Sequence, residues 1–271
     1  MKSPIKWTGG KRREIPYFSS YIPQNFDIYI EPFFGGGALY WHLLPQNAII
    51  NDINSHLINF YKVLRDNHSS LENILSTFEH NKTFFDKLVN ILNNNEFNNN
   101  VEQAAIFYYL NKTSFSGKWR VNKSGDYNNT WGNYKKPSYL SIDKSYSEHL
   151  EHASILNKDF AYILEEYKYC SDAFIFLDPP YLNCDSMYTA EQDFIEIYEY
   201  IYNYMRNCKS KVMLVVKGDK YIKTLFNDYI IDDYTVNYSH NAKSKTKNKH
   251  LIITNYIENT SKYEMKNAVS I

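Results

Sequence analysis

Short apolar runs alternate with amphipathic segments toward both ends of the chain. Runs of mainly apolar residues, each bounded by polar or turn-forming residues, predict β-strands at 27–30, 48–52, 153–156, 173–177 and 211–216. Apolar residues that recur every three or four positions predict a helix over 191–205. Residues 235–238 and 250–256 are predicted to pair as a terminal hairpin. Strands that alternate with helices in this way predict an α/β fold.

The middle of the chain, about 57–150, shows a different pattern. Helical spacing of apolar residues runs from about 56 to 92 and resumes over 101–110. Residues 93–100 are nearly all asparagine, which predicts a polar loop. Residues 111–137 mix Gly, Asn, Ser, Lys and aromatic residues without a clean period. These features predict a mostly helical insertion within an α/β domain that comprises residues 1–56 and 151–271.

A glycine loop follows the first predicted strand. Gly35, Gly36 and Gly37 precede a predicted helix over 38–44, and the next strand ends at Asp52. Strand, glycine loop and helix open nucleotide-binding units, in which an acid at a similar spacing binds ribose hydroxyls. Carboxylates at Glu31 and Asp52 would repel a phosphate, so they favour a ligand with hydroxyl or ammonium groups. The alternative is a flexible connector, since glycine suits that use as well.

The strand predicted over 173–177 ends abruptly on a carboxylate and two prolines. Asp178, Pro179, Pro180 and Tyr181 follow it, and the prolines cannot continue a strand ladder because they lack the N–H donor. A carboxylate, two rigid carbonyls and an aromatic ring are thereby fixed at the carboxyl end of a strand. Open α/β sheets bind their ligands at that end. The alternative is a strand that ends in a simple tight turn.

Residues 111–137 concentrate cations and aromatic rings in a chain that has no net charge. The chain has 30 basic and 30 acidic residues, so any signal for nucleic acid has to be local. Besides one acid, Asp126, the segment contains six cations and five large aromatic residues: Lys112, Lys118, Arg120, Lys123, Lys135 and Lys136, with Phe115, Trp119, Tyr127, Trp131 and Tyr134. Cations can contact phosphates and aromatic rings can stack on bases. A solvated loop anchored by buried aromatic residues is the alternative.

Other features of the chain exclude several classes of protein. Three cysteines are too few and too scattered for a zinc site or a disulfide framework: Cys170, Cys184 and Cys208. No apolar run approaches the ~18 residues needed to span a bilayer, and residues 1–7 contain no apolar signal region. Lys11 does not belong to a P-loop, because Arg12 stands where that motif needs Ser or Thr. We therefore expect a cytoplasmic protein without a metal site, in which Lys11 meets a carboxylate.

A second basic run lies near the carboxyl end of the chain. It is interpreted as the solvated tip of the terminal hairpin, and its cations are Lys243, Lys245, Lys247 and Lys249. By itself this run does not indicate a nucleic-acid partner.

Taken in order, these segments resemble the Dam-like, α-class (D12) DNA adenine-N6 methyltransferases. The resemblance covers most of the chain and rests on residues 6–11 (Lys-Trp-Thr-Gly-Gly-Lys), 31–37 (Glu-Pro-Phe-Phe-Gly-Gly-Gly), 51–54 (Asn-Asp-Ile-Asn), 110–112 (Leu-Asn-Lys) with 120–122 (Arg-Val-Asn), 132–137 (Gly-Asn-Tyr-Lys-Lys-Pro) and 178–181 (Asp-Pro-Pro-Tyr). It implies a doubly wound, mostly parallel, Rossmann-like sheet that binds S-adenosylmethionine. It also implies that residues 57–150 are a target-recognition domain, with double-stranded DNA as the partner.

The resemblance assigns roles to the residues that match the family's motifs. The positions that match the cofactor pocket are Trp7, Lys11, Glu31, Phe33, Gly35, Gly37, Asp52, Asp159, Phe160 and Asp178. The positions that match DNA contacts are Lys6, Lys112, Phe115, Lys118, Arg120, Asn122, Thr130, Tyr134 and Lys135. The catalytic motif is matched by Asp178, Pro179, Pro180 and Tyr181. In it, Asp178 and the Pro179 carbonyl accept hydrogen bonds from adenine N6, and Tyr181 stacks on the flipped base.

Two stretches depart from the family pattern. Ser116 and Lys118 replace the usual Asn and Leu, and residues 128–132 read Asn-Asn-Thr-Trp-Gly instead of Asn-Val-Pro-Phe-Gly. Lys118 can change a contact with a thymine methyl group into a polar or phosphate contact. The recognised site is therefore expected to be GATC or a variant of it. Lys217 stands where relatives commonly carry a small polar residue.

The sequence leaves two further functions open. One is a DNA-binding protein that keeps the fold without catalysis, and the other is an RNA adenine methyltransferase. The residue types at Asp52, Asp178 and Tyr181 disfavour the non-catalytic protein. The sequence distinguishes poorly between an RNA and a DNA methyltransferase. A monomer or weak dimer is also expected, and the sequence leaves open whether a cognate restriction enzyme accompanies the protein.

Overall fold

The computed structural model describes residues 1–136, 138–181, 191–237 and 247–257. Its helices, in chain order, are α1 (Ile15–Phe18), α2 (Tyr40–Leu43), α3 (Ser55–Asp66), α4 (His68–Ser76), α5 (Lys82–Asn93), α6 (Asn100–Thr113), α7 (Ser145–Leu150), α8 (Phe160–Glu166), α9 (Glu191–Asn207) and α10 (Lys220–Leu225). Its strands are β1 (Ile28–Glu31), β2 (Ala48–Asn51), β3 (Ala153–Leu156), β4 (Ala173–Leu177), β5 (Lys211–Lys217), β6 (Ile230–Asn237) and β7 (Lys247–Thr254). Over the described ranges, every helix is too short or too polar to cross a membrane.

The chain divides into two compact units. Among the described residues, the first unit comprises Met1–Arg12 and Phe33–Phe160. The second comprises Arg13–Pro32 together with residues 161–181, 191–237 and 247–257. The functional division that the sequence predicts, with 57–150 as a recognition domain, stays a prediction.

Helix α6 forms the core of the first unit. It packs against α3, α4 and α5, and all of its residues from Gln103 to Leu110 are buried. An apolar surface on every side is typical of a helix at the centre of a core. Beside this helical core, β2 and β3 pair in parallel, with Asn51 opposite Leu156 at their carboxyl ends.

Asparagine side chains determine where several helices of the first unit begin. Asn54 accepts a hydrogen bond from the Leu57 N–H at the start of α3, and Asn81 does the same for Phe84 in α5. Asn99 accepts hydrogen bonds from two N–H groups at the start of α6. These are N-caps, which satisfy donors that the first turn of a helix leaves unpaired.

The described part of the second unit contains five strands in the order β1-β4-β5-β7-β6. The first three run parallel, and β7 is antiparallel to both β5 and β6. All five residues of β4 are buried, as expected of a parallel strand that is covered on both faces. Asp178 follows this strand directly, so the fully buried β4 sets the position of its carboxylate.

The strands that the sequence predicts are present within one or two residues, apart from the terminal hairpin, where both strands begin earlier than predicted. Lys247 and Lys249, predicted at the hairpin tip, lie instead in β7, where Lys249 forms an ion pair with Asp233 at 2.8 Å. Across the described ranges the strands are mostly parallel and alternate with helices, which confirms the α/β class with a doubly wound, mostly parallel, Rossmann-like sheet. Apart from position 137, which is not described, residues 57–150 form helices and isolated bridges but no strand, so the predicted helical character of this region is confirmed.

Two details differ from the predictions. The helical pattern from 56 to 92 forms three helices, because α3 ends at Asp66, Asn67 separates it from α4, and residues 77–81 separate α4 from α5. Strand β6 begins at Ile230, earlier than predicted, since Asp232 and Asp233 interrupt its apolar pattern. Among the described strands it pairs only with β7, and an edge strand tolerates such polar residues. Tyr238, predicted as the end of this strand, lies outside the described residues.

Candidate active site and nucleic-acid interface

In the first unit, the Asp52 carboxylate holds the glycine loop. The Gly35 N–H donates to Asp52 Oδ2 at 2.8 Å, and the Asn54 N–H donates to Oδ1 at 2.9 Å. Burial raises the pKa of Asp52, while the hydrogen bonds from Asn54 and Gly35 oppose that shift. Each carboxylate oxygen has two lone pairs, so the group can still accept hydrogen bonds from the hydroxyls of a ligand.

The glycines of the loop are required by the aromatic rings that pack on them. A Cβ at Gly35 would lie 2.6 Å from Trp7 Cδ1, and a Cβ at Gly37 would lie 2.4 Å from Phe34 Cζ. Both glycines also have positive φ angles, 49° and 62°, which other residues adopt only with strain. The loop is therefore a shaped element that brings Trp7 against the backbone, which disfavours the alternative of a flexible connector.

Phe33 and Phe160 form a pair of stacked rings in the first unit. Their centroids lie 5.0 Å apart with an interplanar angle of 30°. Asn51 fixes the segment before Phe160, because its side chain donates to the Lys158 carbonyl at 3.0 Å and accepts from the Lys158 N–H at 2.8 Å. Asn51 was not among the predicted site residues; a polar residue at the end of a buried strand is the signal that indicates it.

Three further residues that are predicted to bind the cofactor lie in different environments. Lys11 is buried and donates to the Gly9 carbonyl at 3.4 Å. Glu31, in the second unit, is buried and accepts a hydrogen bond from the Tyr29 hydroxyl at 2.7 Å. Asp159, in the first unit, is exposed. The expectation that Lys11 meets a carboxylate stays a prediction.

In the second unit, Tyr181 and Asp178 are joined within the motif that follows β4. The Tyr181 hydroxyl donates to Asp178 Oδ1 at 3.1 Å, and the Tyr198 hydroxyl from α9 donates to the Pro180 carbonyl at 3.2 Å. Pro179 is buried, whereas Asp178 and Tyr181 are partly buried. These contacts anchor the motif and leave part of it accessible. A simple tight turn would not need such contacts, so the environment favours the alternative of a ligand-binding group at the end of the strand.

Residues 114–131 fold back on themselves as an irregular hairpin in the first unit. Isolated antiparallel bridges join Ser114 to Trp131 and Val121 to Tyr127. Three of its aromatic residues are anchors: Trp119 lies 4.7 Å from the ring of Phe107, Trp131 contacts Phe85, and Tyr127 is buried. Burial raises the pKa of Tyr127 to about 12. We call these residues the recognition hairpin, after the role in target recognition that is predicted for residues 57–150.

The other two aromatic residues of this region are exposed beside cations. Phe115 is 64% exposed and Tyr134 is 37% exposed. The Tyr134 hydroxyl accepts from the Ser116 N–H at 3.1 Å, and Lys6 Nζ lies 4.6 Å from the centre of the Tyr134 ring. The remaining exposed candidates for DNA contact are Lys118, Arg120, Asn122, Thr130 and Lys135. Some aromatic rings of this region are therefore buried anchors, as expected of a solvated loop. Others are exposed to solvent, as expected of a segment that contacts nucleic acid.

Asn111 ties the chain around Lys6 to the recognition hairpin. Its side chain accepts from the Lys6 N–H at 3.0 Å, and it donates to the Lys6 carbonyl at 2.7 Å and to the Gly117 carbonyl at 3.1 Å. Gly117 has no room for a Cβ, which would lie 2.4 Å from Lys6 Cδ. Asn111 belongs to a matched motif, yet the sequence does not show that it positions two distant segments.

Lys112 is partly buried next to this junction. Burial lowers its pKa to about 8, and the charge of Lys6 adds to that shift. Its Nζ lies 5.0 Å from the centre of the Tyr108 ring. Lys112 therefore titrates much closer to neutral pH than an exposed lysine does.

The predicted DNA contact Asn122 has a structural function at the tip of the hairpin. Its side chain accepts hydrogen bonds from the N–H groups of Ser124 and Asp126, each at 2.9 Å. Asn129 likewise donates to the carbonyls of Phe115 and Lys118, at 3.0 and 2.9 Å. These amides shape the hairpin, and a contact between Asn122 and DNA stays a prediction.

Several predicted features fall on other parts of the chain. Pro137, Cys184, Lys243 and Lys245 lie outside the described residues. Within the described ranges, His, Cys, Asp and Glu side chains form no group of three or more that could hold a metal ion.

Comparison with known proteins identifies the family. The model of the D12 class N6 adenine-specific DNA methyltransferases matches residues 7–265 of this chain. The protein belongs to this family. It is 32% identical to the type II methyltransferase M.CviBI of Paramecium bursaria Chlorella virus NC1A over 273 residues. The aligned region covers 94% of this chain and 100% of that protein.

Two other relatives show the breadth of the similarity. The chain is 32% identical to the type II methyltransferase M1.LlaDCHI of Lactococcus lactis subsp. cremoris, over 93% of this chain and 94% of that protein. It is 29% identical to the DNA adenine methylase of Serratia marcescens, over 69% of this chain and 70% of that protein. The resemblance inferred from the ordered motifs, a Dam-like D12 enzyme, is thereby confirmed.

Proposed function

We propose that this protein transfers a methyl group from S-adenosylmethionine to the N6 amine of an adenine at a specific site in double-stranded DNA. The observation that carries the proposal is the position of Asp178 at the end of the buried strand β4, with Tyr181 bonded to it at 3.1 Å. Membership of the D12 family supports the same reaction. The recognised site is GATC or a variant of it.

The motif around Asp178 suits the chemistry of adenine. N6 is a poor nucleophile because its lone pair is delocalised into the ring. Asp178 and the Pro179 carbonyl would each accept one N6–H, which favours a more pyramidal and more reactive nitrogen. Tyr181 would stack on the flipped base and offset an unstacking cost of roughly a few kcal/mol. When N6 gains the methyl group it loses one of its two protons, which the Asp178 carboxylate or water would accept.

The glycine loop and its neighbours fit S-adenosylmethionine. When bound, this cofactor supplies an activated methyl group on sulfur and leaves as a thioether. The partly buried Asp52 would accept hydrogen bonds from ribose hydroxyls, and the paired rings of Phe33 and Phe160 would contact the cofactor's adenine. The other residues proposed to contact it are Trp7, Lys11, Glu31, Gly35, Gly37, Asp159 and Asp178.

The recognition hairpin supplies the groups that would contact DNA. Its anchored rings hold an exposed face that presents Phe115, with Lys118 and Arg120, to solvent. Lysine and arginine contact phosphates and guanine edges, and an exposed aromatic ring can insert beside a base. Lys6, Lys112, Asn122, Thr130, Tyr134 and Lys135 complete the proposed set.

The test is transfer of labelled methyl groups from S-adenosylmethionine to duplex DNA. Asp178→Ala is expected to abolish transfer while it leaves most of the DNA affinity intact. Asp172→Ala is the matched control, because this exposed carboxylate lies at the other end of β4. Absence of transfer to every adenine-containing duplex, by protein that binds the cofactor in calorimetry, would contradict the proposal.

Two extensions of the same assay address the other functions. Matched RNA and DNA substrates in parallel reactions separate a DNA enzyme from an RNA enzyme, since only the preferred substrate gains label. Long-read sequencing of DNA from cells that express the protein then identifies the methylated motif. A partner restriction enzyme and a monomeric or weakly dimeric state stay predictions.

A further inference from the structure

A buried polar cluster lies behind Tyr181 in the second unit. His250 is 1% exposed and sits on β7, opposite Lys217 of β5 and Tyr234 of β6. Its Nδ1 lies 2.8 Å from Glu14 Oε2, and the Tyr234 hydroxyl donates to the same oxygen at 2.7 Å. The His250 ring and the Tyr234 hydroxyl therefore approach the same carboxylate oxygen inside the unit.

The rings of this cluster continue to the catalytic motif. The His250 ring lies 5.9 Å from the Tyr181 ring at an interplanar angle of 81°, and 5.6 Å from the Tyr234 ring. Perpendicular ring pairs at this separation are a preferred geometry, so each ring restrains the tilt of the other. Tyr181 is therefore held at two points, by Asp178 at its hydroxyl and by His250 at its ring.

A gain in the stability of the folded unit does not readily explain why this polar cluster is buried. Glu14 and His250 are almost fully buried, and removing a carboxylate and an imidazole from water costs free energy that their attraction often fails to offset. Apolar residues of the same volume would serve the core of the unit as well or better. A polar cluster placed directly against a catalytic ring therefore suggests a contribution to the reaction.

We propose that His250, held by Glu14 and Tyr234, positions the Tyr181 ring to stack on the target base. The inference rests on the proposed function and deepens it. His250 is a positioning residue, since it acts through Tyr181 and contacts no substrate itself. Its loss is expected to slow methyl transfer and to leave cofactor affinity unchanged.

A double-mutant cycle tests this coupling. His250→Ala is expected to lower the single-turnover rate of methyl transfer by about 10- to 100-fold, because small misplacements of a reacting pair are costly. In the Tyr181→Ala background the same change is expected to have almost no further effect. Equal losses in both backgrounds would show that His250 acts through stability or another route, and would overturn the proposal.

A second variant and a matched control guard against misfolding. His250→Gln keeps an N–H group near Glu14 but removes the ring, so it should reproduce the loss of rate while circular dichroism shows a native fold. Tyr204→Phe removes another buried hydrogen bond of the unit, which joins the hydroxyls of Tyr204 and Ser210 at 2.9 Å. This control is expected to lower stability and leave the rate of transfer unchanged.

A spectroscopic measurement separates this inference from the proposed function. With 3-fluorotyrosine incorporated at position 181, His250→Gln is expected to shift or broaden the ¹⁹F resonance, and Tyr204→Phe is expected to leave it unchanged. This readout needs no activity. A wild-type protein that methylates no nucleic acid would overturn the proposed function, whereas an unchanged ¹⁹F resonance in His250→Gln would overturn the positioning of Tyr181.

Discussion

The Gly35 N–H donates to Asp52 Oδ2 at 2.8 Å, so a carboxylate at the end of β2 holds the glycine loop in place. Asp52→Ala removes this bond and the one from Asn54. Since hydrogen bonds to charged groups contribute roughly 1.5–3 kcal/mol, affinity for S-adenosylmethionine is expected to fall at least about 10-fold in calorimetry. Asp66→Ala, at an exposed carboxylate paired with Arg65, is the control and should bind normally.

Gly37 is expected to tolerate no side chain. Gly37→Ala combines a positive φ angle of 62° with a contact of 2.4 Å to the Phe34 ring. Gly125 also has a positive φ angle, 90°, but a Cβ there would meet nothing within 4 Å. Urea denaturation should therefore show a loss of roughly 1–2 kcal/mol for Gly125→Ala and a clearly larger loss for Gly37→Ala. Equal losses would show that the ring contact contributes nothing.

Asn51 is expected to support the cofactor site indirectly. Asn51→Ala deletes both hydrogen bonds to Lys158, which precedes Phe160 by two residues. The stacked pair of Phe33 and Phe160 should then lose its fixed position, and cofactor affinity should fall by about 5- to 50-fold. Asn59→Ala is the control in α3, where it loses a hydrogen bond to the Asn100 carbonyl. Normal cofactor binding by Asn51→Ala would contradict this role.

The affinity for DNA is expected to decrease as the pH rises through 8. Burial lowers the pKa of Lys112 to about 8, so this cation is lost between pH 7 and 9. In Lys112→Arg the charge persists over that window, and the ratio of affinities at pH 7 and 9 should shrink by roughly 3- to 10-fold. Lys123→Arg, at an exposed position, should keep the wild-type profile.

The lowered pKa of Lys112 affects stability in the opposite direction to DNA affinity as the pH rises. The pKa of Lys112 falls from 10.5 to about 8 on folding, so the unfolded chain binds more protons between these values. The free energy of unfolding should therefore rise with pH across that window. Lys112→Arg removes this contribution, and denaturation curves at pH 8 and pH 10 provide the measurement.

Arg120 is expected to determine site preference. It is exposed on the recognition hairpin, and a bidentate contact with a guanine contributes about 1–3 kcal/mol of discrimination. Arg120→Ala should relax preference at one position of the site, as measured by methylation of a randomised duplex library. Lys123→Ala is the control and should weaken binding evenly, as a phosphate contact does. A uniform loss across all sites in Arg120→Ala would assign Arg120 to a phosphate instead.

The sequence by itself determined most of the strands, the glycine loop and the Asp-Pro-Pro-Tyr motif. Each of these depends on local properties: an apolar run predicts the buried β4, two prolines must end it, and Asp178 follows directly. The order of such motifs along the chain was also enough to indicate the family. Local patterns are reliable here because burial of a strand and the backbone limits of proline and glycine need no distant partner.

Tertiary structure decided which residues of similar type act as anchors and which face solvent. Trp119 packs on Phe107 while Phe115 is exposed, although both lie in the same irregular segment. Only the fold brings His250 against Tyr181, across 69 positions of sequence. Contacts of this kind depend on how distant segments pack, and neither periodicity nor composition of a single segment encodes that packing.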